Sequence, residues 1–444
     1  MLTSSKTVVA ALAGMLMGLA LACTDHARAA RKVEQIQTPG GIKAWLVEEH
    51  AIPLISIRFA FEGGALQEPR GKEGLTGMLA SLLTEAGGDL TAEDFARRLA
   101  DEGSQLSMSA TRDQIYGGLD ALTKRFAASA ELLRMALVTP RFDAETIERL
   151  RQQKLSELEL AANEPRGVAF NAWFARSFPD QAYGRPIEGN DASVRSIMAA
   201  DLRDHAKRLL ARNALKIVIV GDIDRDGAIK TIERIFGDLP AGAAPSPPTK
   251  VNLTRLAAPV VIEKDQPLAT AAFGALAVSP GHPDFPTWQV LIHIIGSGDF
   301  DSTLMDEIRV KRGLAYAVSI SLLSDQAASI ILGGMATKNE NMGKALGVLR
   351  GVLSRTAASG PTLEQLENAK QYLTGSYLLD FDTNAKLAGS LQRIWIEGRR
   401  PEFVETRNEL IKRVTLADVQ RVARAALAAD AFNITIVGKA IQAK

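Results

Sequence analysis

Residues 200–222 read ADLRDHAKRLLARNALKIVIVGD, and residues 417–439 read ADVQRVARAALAADAFNITIVGK. The two align without a gap at a constant offset of 217 residues. Ala200-Asp201 meets Ala417-Asp418, Ala206 meets Ala423, Leu210 meets Leu427, and Val220-Gly221 meets Val437-Gly438. Each segment reads as an amphipathic helix followed by a short β-branched strand that stops at glycine. A helix–strand unit written twice predicts a duplicated domain.

Other pieces of the chain repeat in the same order. Pro53-Leu54 and Pro267-Leu268 both enter apolar, strand-like runs, and residues 143–148 (DAETIE) match 362–367 (TLEQLE), each opening with a helix N-cap residue. Small drifts in offset are what loop insertions produce. Between the halves lies LPAGAAPSPPTK, residues 239–250, whose four prolines can continue neither a helix nor a central strand. The expected organisation is a signal peptide over 1–29, a first domain over 30–240, a linker over 241–252 and a second domain over 253–444. Within each half strands come first, KAWLVEEHAIPLISIRFAFEGG in one and PVVIEKDQPLATAAFGALAV in the other. TAEDFARRLADEG then predicts a helix capped by Thr91 with Asp94 and stopped at Gly103. This mixture predicts an α+β fold, each half a mostly antiparallel sheet with helices packed on one face.

The chain has 444 residues, a net charge of +1 and 5% aromatic residues. That balance gives no basic footprint for nucleic acid and no stacking platform. Lys6 followed by the apolar run 8–22 and by Ala27-Arg28-Ala29 reads as an export signal with a cut near Ala29. The run is too short to span a bilayer comfortably, so a periplasmic protein without a membrane span is expected. Cys23, after LALA, is the alternative as a lipid attachment point, but Ala20 stands where such sites usually carry Leu. Cys23 is also the single cysteine, so a mature chain starting at Ala30 has neither disulfides nor thiolate ligands.

Two stretches carry candidate chemistry. GLTGMLASLL, residues 74–83, reads as a buried helix without one ionisable group, sharply set off from the charged EPRGKE before it. MDEIRVKRGLAYAVSIS, residues 305–321, reads as a charged helix end, a stop at Gly313, and a strand with Leu314, Tyr316, Val318 and Ile320 on one face. A turn at Gly313 can bring Arg309 and Tyr316 together, and an arginine with a phenol can donate hydrogen bonds to a carbonyl oxygen or oxyanion. The five histidines, His26, His50, His205, His282 and His293, show no metal-ligand spacing. Neither a G-x-S-x-G elbow nor a phosphate-binding loop occurs.

In the order of these parts the chain resembles the M16 zinc peptidases, the inverzincin family of pitrilysin, insulysin and the mitochondrial processing peptidase. The resemblance rests on the two related halves, the linker, GLAY with its upstream Arg, and PDQAYGRPIEGN, residues 179–190. It implies two related α+β domains closing around an extended peptide. In catalytic members a pattern like G-L-x-H-x-x-E-H supplies two zinc ligands and the general base. Laid on this chain, those positions fall on Gly77, Ala80 and Ser81, and the distal ligand position falls on Glu157. One carboxylate does not hold a catalytic zinc, so the resemblance implies no metal here. The substitutes are small and imply an open cleft. The family's second domain also donates an Arg and a Tyr, seven residues apart, to the substrate carbonyl, and Arg309 and Tyr316 match that spacing. The resemblance therefore implies a non-catalytic subunit that completes an H-x-x-E-H partner, which would carry the zinc, in a heterodimer or larger assembly. The alternative is a stand-alone peptide-binding or scaffold protein on the same fold.

The export reading is tested by N-terminal sequencing of secreted material, which is expected to begin near Ala30. A lipid-bearing Cys23, or an intact Met1 in the cytoplasm, is the contrary result.

Overall fold

A computed structural model describes residues 32–242, 251–298, 301–428 and 431–439. The export segment, Cys23, His26 and linker residues 243–250 lie outside the described residues. The strands are β1 (Glu34–Gln37), β2 (Lys43–Glu48), β3 (Leu54–Glu62), β4 (Gln105–Ala110), β5 (Gln114–Leu122), β6 (Leu215–Gly221), β7 (Val260–Glu263), β8 (Leu268–Leu276), β9 (Ala317–Ser324), β10 (Ser329–Lys338) and β11 (Asn433–Gly438). They form two sheets, ordered β1-β2-β6-β3-β5-β4 and β7-β11-β8-β10-β9. Apart from the extra edge strand β1, the second sheet repeats the first strand for strand. In each, one pair is parallel, β2 with β6 and β7 with β11, and the other ladders of that shared order are antiparallel.

Seven helices build the site and the junction between the halves: α1 (Leu75–Leu82), α2 (Ala144–Asn163), α3 (Pro165–Ser177), α4 (Ala199–Leu209), α5 (Leu363–Ser376), α6 (Asn384–Ile396) and α7 (Leu416–Ala426). The duplication holds at their ends: α4 and α7 begin at 199 and 416, α2 and α5 at 144 and 363, α3 and α6 at 165 and 384. Asp143 and Thr362 are N-cap residues, and the Thr362 hydroxyl accepts from the Gln365 N–H. The Thr91 cap closes on Asp94 N–H at 3.2 Å. Among the described residues no helix is long and apolar enough to cross a membrane.

Apart from α3 and α6, each half's own helices gather on one face of its sheet. In the first, Leu46, Ile55, Ile57, Phe59, Ile217 and Ile219 share one core with Leu79 of α1, Leu155 of α2 and Leu202 of α4. Because side chains alternate along a strand, Trp45, Val47, Val218 and Val220 point the other way. That opposite face is covered by α6, a helix from the second half, through Leu387, Leu391 and Ile394. Trp45 and Trp395 stack across the junction at 4.8 Å, 5° from parallel. The exchange is reciprocal. α3, from the first half, lies on the second sheet, where Trp173 packs with Ala272, Leu332 and Val437. Trp173 Nε1 donates to the Asn433 carbonyl at 2.9 Å, and Asn433 Nδ2 donates to Ser177 Oγ at 2.9 Å.

Neither sheet is complete without the other half, so the two are expected to unfold as one cooperative unit. Leu391→Ala should cost about 2–5 kcal/mol, the range for emptying a buried leucine site. Denaturant unfolding followed by both far-UV circular dichroism and tryptophan fluorescence should then give coincident midpoints, shifted together in the variant. Two separate transitions would count against the exchange as the source of cooperativity.

Candidate functional site

α1 carries the degenerate positions. It begins at Gly74, whose φ of +94° suits glycine and where a Cβ would lie 2.8 Å from the Glu188 carbonyl oxygen. No Ser, Thr, Asp or Asn stands at the cap. Instead the buried Glu68 carboxylate, from the preceding loop, accepts the Gly74 N–H at 3.1 Å and the Thr76 N–H at 2.6 Å. It supplies from outside the helix the acceptor that the first turn needs. Burial pushes the Glu68 carboxyl up to about 7, against the opposing pull of these N–H groups and of Arg185.

A second buried group continues this network. Arg208 Nη2 can only donate, so Nδ1 of His205, 2.9 Å away, accepts. Nε2 then carries the proton and donates to Thr76 Oγ1 at 2.9 Å. Burial, with the Arg208 charge beside it, holds His205 down to about 4, so it is neutral. His205 thus sits beneath α1 as a structural hydrogen-bond donor, on the helix that carries the repeat signature. Sequence reading did not find Glu68, Thr76 or this role for His205; the one available signal was a charged loop abutting an uncapped apolar helix. The GRPIEGN segment and the helical turn after it bear on the same place. Arg185 donates to the Glu68 carbonyl at 2.9 Å, and Ser193 Oγ donates to the Glu73 carbonyl at 2.8 Å.

On this well-held helix the three degenerate positions carry no chemistry. A Cβ at Gly77 would meet nothing within 4 Å, so open space lies above it. Ala80 is 2% exposed, and Ser81 is exposed with its hydroxyl donating to the Gly77 carbonyl at 3.2 Å. α2 packs against α1. On it Glu157 is exposed and receives Gln153 Nε2 at 3.0 Å and Lys154 Nζ at 3.5 Å. Lys154 also pairs with Glu188. An ammonium therefore faces the one surviving carboxylate. This donor set does not fit a zinc ion, and among the described residues no three His, Cys, Asp or Glu side chains cluster as ligands.

The second set is brought together. Met305–Val310 forms a π-helical turn, Gly313 turns the chain at φ +59°, and Arg309 Cζ lies over the Tyr316 ring, 4.7 Å from its centroid. The neighbouring cations are held elsewhere: Lys311 and Arg312 both pair with Glu307, at 2.7 and 2.8 Å. The expected strand face needs correction. Val318 and Ile320 are buried as the alternation predicts, but Tyr316 is 81% exposed. The reason is register. Pairing of β9 with β10 begins at Ala317 opposite Ala336, so Tyr316 stands just before the pleat and is not bound by its alternation. The remaining histidines are locally engaged. His50 Nδ1 lies 2.8 Å from Asp222 Oδ1, His282 Nδ1 accepts the Asp284 N–H, and His293 stacks on Tyr372.

Residues 46–191 match the family model described as insulinase, peptidase family M16, and residues 196–373 match the one described as peptidase M16 inactive domain. A Helicobacter pylori protein named as the non-peptidase homolog YmxG is 24% identical over 97% of this chain and 98% of its own length. The beta subunit of the mitochondrial-processing peptidase of Blastocladiella emersonii is 23% identical over 88% of this chain and 85% of its own. A crystal structure of a peptidase M16 inactive domain from Pseudomonas fluorescens superposes with a TM-score of 0.87 at 23% identity, covering 93% of this chain and 99% of that one.

The two buried groups beneath α1 have opposite pH signatures. At Glu68 the folded state holds a proton between about pH 4.5 and 7 that the unfolded chain has released, so this contribution to stability falls as pH rises through that window. At His205 the unfolded chain holds the extra proton between about pH 4 and 6.5, so that contribution grows as pH rises. Glu68→Gln removes the first and leaves the second. The stability of the wild type relative to Glu68→Gln should therefore decline from pH 4.5 to 7, by about 3 kcal/mol in all. Urea unfolding at a series of pH values measures it, and parallel pH curves for the two proteins would exclude the assignment.

Proposed function

The chain belongs to the M16 peptidase family, as a member whose own active-site helix lacks the reacting groups, and from that premise we propose that it is the non-catalytic subunit of a periplasmic zinc metallopeptidase. Its partner would be an M16 chain bearing H-x-x-E-H, which would supply metal and base. This chain would supply Arg309 and Tyr316 to the carbonyl oxygen of the partner's extended peptide substrate. The observation that carries the reading is the Arg309–Tyr316 pair, stacked at 4.7 Å with the tyrosine 81% exposed, in a chain empty at Gly77, Ala80 and Ser81. A phenol this exposed adds little to its own domain core, and the guanidinium over its ring holds it in place. Presented to another subunit, the two are preorganised donors for charge that develops on a carbonyl oxygen. The periplasmic location rests on Lys6, the apolar run 8–22 and the Ala27–Ala29 pattern.

The test is kinetic, on the complex reconstituted with the H-x-x-E-H subunit. Losing one oxyanion donor costs on the order of 10²–10³ in turnover, and Arg309→Ala or Tyr316→Phe should lower kcat by that order while the complex still assembles. Arg309→Lys should recover little, because an ammonium does not reproduce the planar fork. Arg312→Ala, whose side chain pairs with Glu307, should matter less. Wild-type turnover in both variants would defeat the trans-donor role and favour the scaffold alternative.

A further inference from the structure

The tips of two hairpins meet where the halves face each other. Residues 111–113 join β4 to β5, and residues 325–328 join their counterparts in the second sheet, β9 and β10. Each tip carries an aspartate followed by a glutamine, Asp113-Gln114 and Asp325-Gln326. Asp113 Oδ2 accepts the Gln326 N–H at 2.6 Å. Tyr183, from the first half and fully buried, donates its hydroxyl to Asp325 Oδ2, also at 2.6 Å. Both tips line a cleft of about 1240 Å³ between the halves. Neither Arg309 nor Tyr316 lines it, so this contact is separate from the donor role proposed above.

The charges at the contact do not balance. Two carboxylates, Asp113 and Asp325, meet one guanidinium, Arg112. Among the described residues none of the three makes an ion pair: Arg112 Nε donates to the Tyr183 carbonyl at 3.2 Å, and its Cζ lies over the Phe174 ring, 3.7 Å from the centroid. Asp113 is 4% exposed, and its Oδ1 has no hydrogen-bond partner. An ionised carboxylate there would leave one oxygen buried and unpaired, with a second carboxylate beside it. A neutral carboxyl costs far less in such a place. The other titratable groups facing it, Tyr116 and Tyr183, are phenols that burial pushes upward, so they stay neutral; Arg393 and Glu397 lie beyond Tyr116. Burial and then the Asp325 charge push the Asp113 carboxyl up to about 6, against the opposing pull of the Gln326 N–H and Arg112.

The two tips also differ in how their backbones are held. The first is fastened on its far side, where the N–H groups of Gly63, Ala65 and Leu66 donate to the carbonyls of Asp113, Thr111 and Arg112 at 2.7, 2.9 and 3.0 Å. Outside its ladder the second has the Asp325 N–H on the Ala328 carbonyl at 3.1 Å and the Val251 N–H on the Ala327 carbonyl at 3.4 Å. Charge repulsion between the tips therefore displaces the second one. We propose that the two tips form an acid-closed latch across the cleft, joined while Asp113 holds its proton and parted once it is ionised. A carboxyl that binds its proton more tightly in the joined state favours joining at low pH and loses that advantage as pH rises. The ratio of parted to joined molecules should rise about tenfold per pH unit between about pH 4 and 6, and level off above.

Nitroxide labels at Ser109→Cys and Leu323→Cys report the distance between the tips, since both positions are exposed and each stands two residues before its turn. They are placed in the full chain carrying Cys23→Ser. Double electron–electron resonance on samples frozen across a pH series should show a short distance under acid conditions. A longer second population should grow to a plateau above about pH 6. Asp113→Asn, neutral at every pH, should keep the short distance throughout. Asp325→Asn removes the neighbouring charge and should move the rise to lower pH. Far-UV circular dichroism on the same samples distinguishes parting from unfolding. An unchanged distance across the series overturns the proposal, as does a wild-type response in Asp113→Asn, an unmoved rise in Asp325→Asn, or a rise that coincides with loss of helical signal.

Discussion

The reciprocal placement of α3 and α6 is the constraint on which the rest of this molecule depends. A sheet buried on one face needs only its own helices, but here both sheets are buried on both faces. The second cover comes each time from the other half of the chain. The Trp173 bond to the Asn433 carbonyl and the Trp45–Trp395 stack fix those covers in position. The relative placement of the halves is set by these contacts, and with it the cleft between them, to which α6 contributes Arg393. One packing decision therefore sets both the cooperativity of the fold and the shape of its inner surface.

Much of this is legible in the sequence. The 217-residue repeat locates two equivalent helix–strand units, and the structure ends them at equivalent residues, Gly221 and Gly438. The N-caps at Thr91, Asp143 and Thr362 are readable because capping chemistry is local. The exchange is not, because amphipathicity reveals that a helix has an apolar face but not which sheet receives it. A hint exists in KIVIVG and NITIVG. Four consecutive apolar residues in β6 and a nearly unbroken run in β11 suit strands covered on both faces, not a half-solvated sheet. The exposure of Tyr316 escapes the sequence for a related reason: alternation holds only where the ladder has begun.

The candidate site divides along the same line. That Gly77, Ala80 and Ser81 carry no reacting groups can be read directly, since the absence of histidine and glutamate is a property of letters. That the helix bearing them is nevertheless firmly held cannot. Glu68, Thr76, His205 and Arg208 are spread over 141 positions of sequence, from 68 to 208, and only the fold joins them. The result is a firmly held helix that carries no ionisable group of its own. The space over Gly77 stays open, and the Lys154 ammonium stands beside Glu157.

The exchanged cover also has a consequence in time. β6 closes the first sheet at Gly221, but α6, which shields the far face of that sheet, ends only at Ile396. At a synthesis rate of about 5–20 residues per second, the ribosome needs roughly 10–35 s to make the intervening stretch. Throughout that interval Trp45, Val47, Val218 and Val220 form an apolar wall with only Val33 packed on it from their own half. The first half is thus an unfinished object for as long as the second is being made. A chain of this design favours folding that waits until α6 has been made and then proceeds over the whole length at once.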